Sequence, residues 1–184
     1  MPFTETFLPG VIIFEPTVYP DDRGFFFESY NKQLFHSNQI FNEFVQDNQS
    51  FSVYGVIRGL HYQREHYTQS KLVRVLQGSI LDVVLDLRVG SPGFGKSYSV
   101  QLSAENKKQI FVPKGFAHGF SVLSETAIIS YKCDQFYNKQ SEAGIRYNDA
   151  GLNIDWQIPP DKEIISEKDA KLPEFRSSLT DFIF

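Results

Sequence analysis

Between residues 79 and 88 the chain alternates with a period of two. Leu81, Val83, Leu85 and Leu87 fall on one face, and Asp82, Asp86 and Arg88 on the other. That is the period of a β-strand, whose successive side chains point to opposite sides of a sheet. Runs with strand character recur along the chain: GVIIFEP, GFFFESY, EFVQDNQSFSV, KLVRVLQ, SYSVQLS, QIFVP, GFSVL and TAIISYKC. Turn-forming stretches such as YPDDRG, VGSPGFG, VPKG and YNDAG separate them. Helical signals are few. NKQLFHSNQ predicts a short helix near the N-terminus, and SEKDAKL a helical turn near the C-terminus, opened by Ser166 as N-cap. Strands this short and this often turned predict a β-sandwich or barrel.

No repeat, low-complexity tract or linker divides the chain, so one domain is expected over residues 1–184. The expected fold is all-β: an antiparallel double-sheet jelly roll of the cupin type, with short helices near the two ends. The length of 184 residues suits a single core, and 41% hydrophobic with 22% charged residues is ordinary for a folded globular chain. The 15% aromatic content, with eighteen Phe and nine Tyr, changes little, because a small β-protein needs aromatics to fill its core. A net charge of −4 argues against a nucleic-acid partner. Cys133 is the one cysteine, which excludes an intrachain disulfide and a thiolate metal cluster. The opening MPFTETFLPG lacks a basic segment followed by an apolar core, and no apolar run approaches the ~20 residues of a membrane span. A cytoplasmic protein with no membrane partner is expected.

Many cupins hold a metal through a His-x-His pair, a downstream Glu and a later His. PKGFAHG keeps Pro113, Gly115 and His118 in the spacing of the second such motif. The rest of the ligand set is broken. His61 is followed two residues on by Gln63, His66 is preceded two residues earlier by Arg64, and Lys71 stands where the Glu ligand belongs relative to Gly78. An ammonium cannot ligate a metal and repels a divalent cation. A metal-free site is expected, with no cofactor.

His61, in IRGLHYQ, then reads as a metal ligand, a core histidine or a base, and the stretch alone does not choose among these. Lys71 shares a face with Val73 and Val75 on a predicted strand. A buried ammonium is costly unless paired or functional, and the alternative is a lysine snorkelling from the strand end. Tyr131 is in phase with Ala127 and Ile129, and reads equally as a plain core tyrosine. Asp169 alone reads as a solvated charge in a polar turn. No Gly-x-Ser-x-Gly elbow is present, which disfavours a serine hydrolase.

Taken together, DDRGFFFESY, QDNQSFS, VIRGLHYQ, KLVRVLQGSILDVVLDLR, VPKGFAHGFSVL, YKCDQFY and SEKDAKLP resemble, in order and spacing, the dTDP-4-dehydrorhamnose 3,5-epimerases. The resemblance runs from about residue 5 to about residue 175; FRSSLTDFIF at the end belongs to no motif. It implies a homodimeric, metal-free cupin acting on a nucleotide-linked 4-keto-6-deoxy sugar. It implies His61 as catalytic base, Asp169 as the acid that orients it, Lys71 beside the keto oxygen and Tyr131 as proton donor. Arg23, Glu28, Gln46, Asp47, Asn48, Arg58, His118, Glu142 and Lys168 fall at its substrate-binding positions. Tyr137 and Phe26 fall at those of the aromatic pair on the thymine ring. In the family the stretch from Arg23 to Glu28 reaches the partner's nucleotide site, so an exchanged N-terminal segment is also implied.

The residue types suit that chemistry. Removing a proton α to a ketone makes an enolate, which needs a base of the imidazole kind and a fixed positive charge at the developing oxyanion. Inversion needs a second acid on the opposite face, and one histidine can serve C3 and C5 because both flank the same carbonyl. Three other readings stand beside it: a single-site epimerase acting at C3 or C5 of a related nucleotide sugar, a metal cupin oxygenase, and a non-catalytic sugar-binding jelly roll.

Overall fold

The computed structural model describes residues 2–175 and 182–184. Two six-stranded sheets face each other. In the first, β1 (Phe3–Glu5), β2 (Ile12–Phe14), β11 (Gln109–Val112), β7 (Lys71–Gln77), β13 (Thr126–Cys133) and β5 (Gln46–Val53) lie side by side in that order. The second runs β10 (Ser97–Ser103), β8 (Ser79–Asp86), β12 (Phe116–Val122), β6 (Val56–Gln63) and β14 (Glu142–Gly144), with β15 (Ile164–Ile165) parallel to β6. A hairpin of β3 (Tyr19–Asp21) and β4 (Gly24–Phe26) stands apart, as does the parallel pair β9 (Arg88–Val89) and β16 (Phe182–Ile183). This is the expected jelly roll. The two predicted helices are α1 (Lys32–Ser37), capped by Asn31, and α2 (Glu167–Ala170), capped by Ser166.

Three apolar clusters hold the layers. Between the sheets, Val73, Val75, Ile110, Ala127 and Ile129 of the first meet Ile80, Val84, Leu102, Phe116, Phe120 and Val122 of the second. On the outer side of the second sheet, Leu81, Val83, Leu85 and Leu87 are covered by Ile145, Trp156 and Ile158 from the long irregular stretch after β14. Helix α1 and its flanks cover the outer side of the first sheet with Phe35, Ile40 and Phe44 against Phe14 and Phe111. The alternation in residues 79–88 therefore holds, but its polar side is no solvated face. Asp82 and Asp86 are fully buried, Asp86 paired to Arg88 at 2.7 Å and to the Ser91 hydroxyl at 2.6 Å.

Strand β6, which carries IRGLHYQ, is one that simple alternation does not pick out. Its register against β12 shifts by one residue between the pairs Phe120–Arg58 and His118–His61. Such a bulge puts two residues opposite one and reverses which side the following side chains face. Gly59 sits in it with φ +130°, and a Cβ there would lie 2.6 Å from Gly119 Cα. Only glycine fits. Beyond the bulge Leu60 and Tyr62 join the outer cluster, whereas Arg58 before it and His61 after it both line one cavity.

Candidate active site

The bulge aims His61 at a carboxylate from the far end of the chain. Asp169, on α2, places Oδ1 2.7 Å from His61 Nε2. Its other oxygen accepts the Gly59 amide at 3.3 Å, and its own amide donates to the Ser166 cap at 3.1 Å. Asp169 is 4% exposed, which overturns the reading of it as a solvated charge. Burial alone would raise its carboxyl pKa; the hydrogen bond and charge of His61, the Gly59 amide and Ser166 outweigh that and hold it below its ordinary value. With Nε2 engaged, His61 presents Nδ1, which has no hydrogen-bond partner among the described residues.

Facing this pair, the first sheet contributes Lys71 and Tyr131, each in line with buried apolar neighbours of its own strand. Lys71 is half-buried by surface area, and burial is still the strongest influence on its ammonium, pushing the pKa down; Cys133, Asp82 and Glu142 oppose it. Its Nζ lies 6.0 Å from the centre of the Tyr131 ring. Burial, reinforced by Cys133 and opposed by Arg58, pushes the Tyr131 phenol up, so the hydroxyl keeps its proton at neutral pH. His61, Lys71 and Tyr131 line two adjoining cavities. One, of about 140 Å³, reaches inward past Ser50, Arg58 and His118. The other, of about 240 Å³, leads past Gln46, Asn48, Gln63 and Gln69 to Tyr137 and Glu142.

At that outer end the side chains are tied together. Gln46 donates to Asn48 Oδ1 at 3.0 Å and accepts the Tyr137 amide at 3.0 Å; the Tyr137 hydroxyl donates to Glu142 at 2.9 Å, and Lys168 pairs with the same carboxylate. Burial would raise the Glu142 pKa, but Lys168 and Tyr137 bring it below its ordinary value. Arg58 donates to the Ser52 hydroxyl at 3.2 Å. Among the described residues no three His, Cys, Asp or Glu side chains are grouped to hold a metal ion.

Four of the residues proposed from sequence lie elsewhere. Asp47 lines a separate hollow beside Arg74 and pairs with Lys132 at 3.0 Å, on the side of β5 opposite Gln46 and Asn48. Arg23 and Phe26 belong to the hairpin, where Arg23 pairs with Asp21 at 2.6 Å and Phe26 is 66% exposed. Glu28 follows the hairpin and meets Asn31 at 3.2 Å. Conversely, Gln63, Gln69, Ser50 and Asp82 were not singled out beforehand. Asp82 shares the polar positions of its strand with Asp86, so alternation alone does not mark it out.

Comparison with known proteins identifies the family. The family model for dTDP-4-dehydrorhamnose 3,5-epimerase matches residues 5–177. The dTDP-4-dehydrorhamnose 3,5-epimerase of Pseudomonas aeruginosa is 51% identical over 172 residues, covering 92% of this chain and 93% of the relative. The crystal structure of the enzyme of that name from Elizabethkingia anophelis superposes with a TM-score of 0.91 at 54% identity, over 94% of this chain and 95% of the other. The dTDP-6-deoxy-D-glucose-3,5-epimerase of Legionella pneumophila, solved in complex with dTDP-4-keto-L-rhamnose, gives 0.88 at 45% identity, over 95% and 98%. Matched over more than nine-tenths of its length by family model, sequence and fold alike, this chain belongs to the dTDP-4-dehydrorhamnose 3,5-epimerase family.

Proposed function

We propose that the protein inverts C3 and C5 of dTDP-4-dehydro-6-deoxy-D-glucose, giving dTDP-4-dehydro-L-rhamnose, with His61, Lys71 and Tyr131 as the groups that touch the reacting sugar. As a member of its family it is an isomerase. The observation that carries the assignment is that a carboxylate-held imidazole, an ammonium and a phenol line the same cavity. His61 Nδ1 removes the proton from C3 or C5, and the C–H electron pair moves into a double bond to C4, leaving the charge on the C4 oxygen. Lys71 stabilises that oxyanion. Tyr131 then delivers its proton to the opposite face, and exchange with solvent returns a proton to Tyr131 and removes one from His61. Asp169 accepts a hydrogen bond from His61 Nε2–H throughout, which fixes the tautomer and favours the imidazolium formed in the step.

Gln46, Asn48, Tyr137, Glu142 and Lys168 surround the outer cavity and suit the nucleotide half of the substrate. The hairpin carrying Arg23 and Phe26 is exposed, with Tyr19, Phe25 and Phe26 each more than half accessible, an apolar group that calls for a cover. A homodimer in which this hairpin reaches the neighbouring nucleotide site accounts for both facts. The decisive experiment incubates the protein with dTDP-4-dehydro-6-deoxy-D-glucose in D₂O and follows the sugar by NMR. Deuterium is expected at both C3 and C5, and nearly none with His61→Ala. Incorporation at one carbon only, after many turnovers, would make the protein a single-site epimerase.

A further inference from the structure

Two imidazole–carboxylate pairs flank the inner cavity, and the mechanism above uses one of them. On β12, His118 stands directly opposite His61 in the strand register. On the other side of β12, β8 supplies Asp82, whose Oδ2 lies 2.8 Å from His118 Nε2. The order across the sheet is thus Asp82, His118, His61, with Asp169 beyond, and each carboxylate meets the Nε2 of its histidine. His118 lines the cavity together with His61, Lys71 and Tyr131, and its Nδ1 has no hydrogen-bond partner among the described residues.

Asp82 is out of keeping with its strand. It is fully buried between Leu81 and Val83, and its Oδ1 has no hydrogen-bond partner among the described residues. A carboxylate in such a place is unfavourable unless cations or donors offset it, and an apolar residue would serve the packing better. Its compensation comes from the site itself: the His118 ring, and the Lys71 ammonium on which its charge acts.

We propose that Asp82 is a positioning residue for the epimerisation, acting through His118: it accepts a hydrogen bond from Nε2–H and so presents Nδ1 to the sugar beside Lys71. The proposal rests on the epimerase reading above. Outer partners of this kind commonly matter by one to two orders of magnitude, so Asp82→Asn is expected to lower kcat for exchange at C3 and C5 by about 10–100-fold. KM is expected to change little, because the residues that suit the nucleotide lie in the outer cavity.

The test is a double-mutant cycle of Asp82→Asn and His118→Gln, with exchange in D₂O as the readout. If Asp82 acts through His118, adding Asp82→Asn to His118→Gln lowers the rate by less than about twofold, since coupled residues are non-additive. A full Asp82→Asn loss in the His118→Gln background, or a wild-type rate for Asp82→Asn alone, overturns the proposal. Nitrogen-15 NMR of the wild-type rings judges it without any variant: His118 must carry its proton on Nε2, and a ring protonated on Nδ1 alone refutes it. Wild-type protein that exchanges neither carbon would sink the epimerase reading instead, leaving the ring measurement to judge the Asp82–His118 pairing.

Discussion

At Lys71 an ammonium is held on an interior strand face, in line with Val73 and Val75, where burial works against its charge. Such a group is worth keeping only if negative charge appears beside it during the reaction. Lys71→Ala should therefore lower kcat by about 10²–10³-fold, the scale for removing one oxyanion donor, while the wild-type enzyme stays active after exhaustive EDTA treatment. A tightly bound metal whose removal stops turnover would refute that view. Tyr131 separates exchange from inversion. A proton taken by His61 can return from His61, so Tyr131→Phe should still exchange substrate hydrogen with D₂O while losing most of the inverted product. Equal loss of both would take the phenol out of the donor role. At Asp169 the folded carboxyl titrates below its unfolded value. Its contribution to stability is thus complete above the unfolded pKa of about 4 and disappears as pH falls through the lower folded value. Thermal midpoints measured from neutrality downward should fall less steeply in Asp169→Asn than in wild type over that window.

Among the elements, β6 is the most demanding. Its bulge brings Arg58 and His61 to one side, and the Gly59 amide inside it also binds Asp169 at 3.3 Å. A side chain at Gly59 meets both an unfavourable φ of +130° and the backbone of Gly119, so β6 and β12 would have to separate. Gly59→Ala should destabilise the fold by about 2–4 kcal/mol, read from the urea midpoint, and should uncouple His61 from Asp169. A variant with wild-type stability and turnover would mean that the bulge tolerates a side chain. Helix α2 has a smaller share: one turn held by the Ser166 cap places Asp169 against β6.

For the whole molecule the decisive element is the β3–β4 hairpin. Arg23 and Phe26 do not line the cavity occupied by His61 in their own chain. If the hairpin serves a neighbouring copy, His61→Ala and Arg23→Ala lie in different halves of each composite site. Mixing the two inactive or impaired variants under conditions that exchange subunits should then restore about a quarter of the wild-type sites if pairing is random, since one site of each mixed dimer receives both intact parts. No recovery despite demonstrated mixing, or a fully active monomer by sedimentation, would exclude the exchange.

Local alternation sufficed for much of this. KLVRVLQ and TAIISYKC placed Lys71 and Tyr131 on interior faces because side chains on a strand alternate whatever surrounds it, and the missing carboxylate ligand at 71 was visible as a lysine. Ser166 was recognisable as a cap for the same reason, since capping is a matter of the next few residues. His61 was different. A one-residue bulge cancels the rule that parity obeys, and whether a bulge forms depends on how closely Gly59 and Gly119 approach across two strands. Asp169 looked like a surface charge because its partner is 108 positions away, and Asp82 like the polar side of a strand because burial on both faces of a sheet is decided by what packs there. Asp47 shows the converse: between two residues of the outer cavity, it faces away because neighbours on a strand must. Pattern is set by bonds along the chain, whereas pairing, burial and convergence on one cavity depend on contacts between distant segments, which exist only once the sheets have closed.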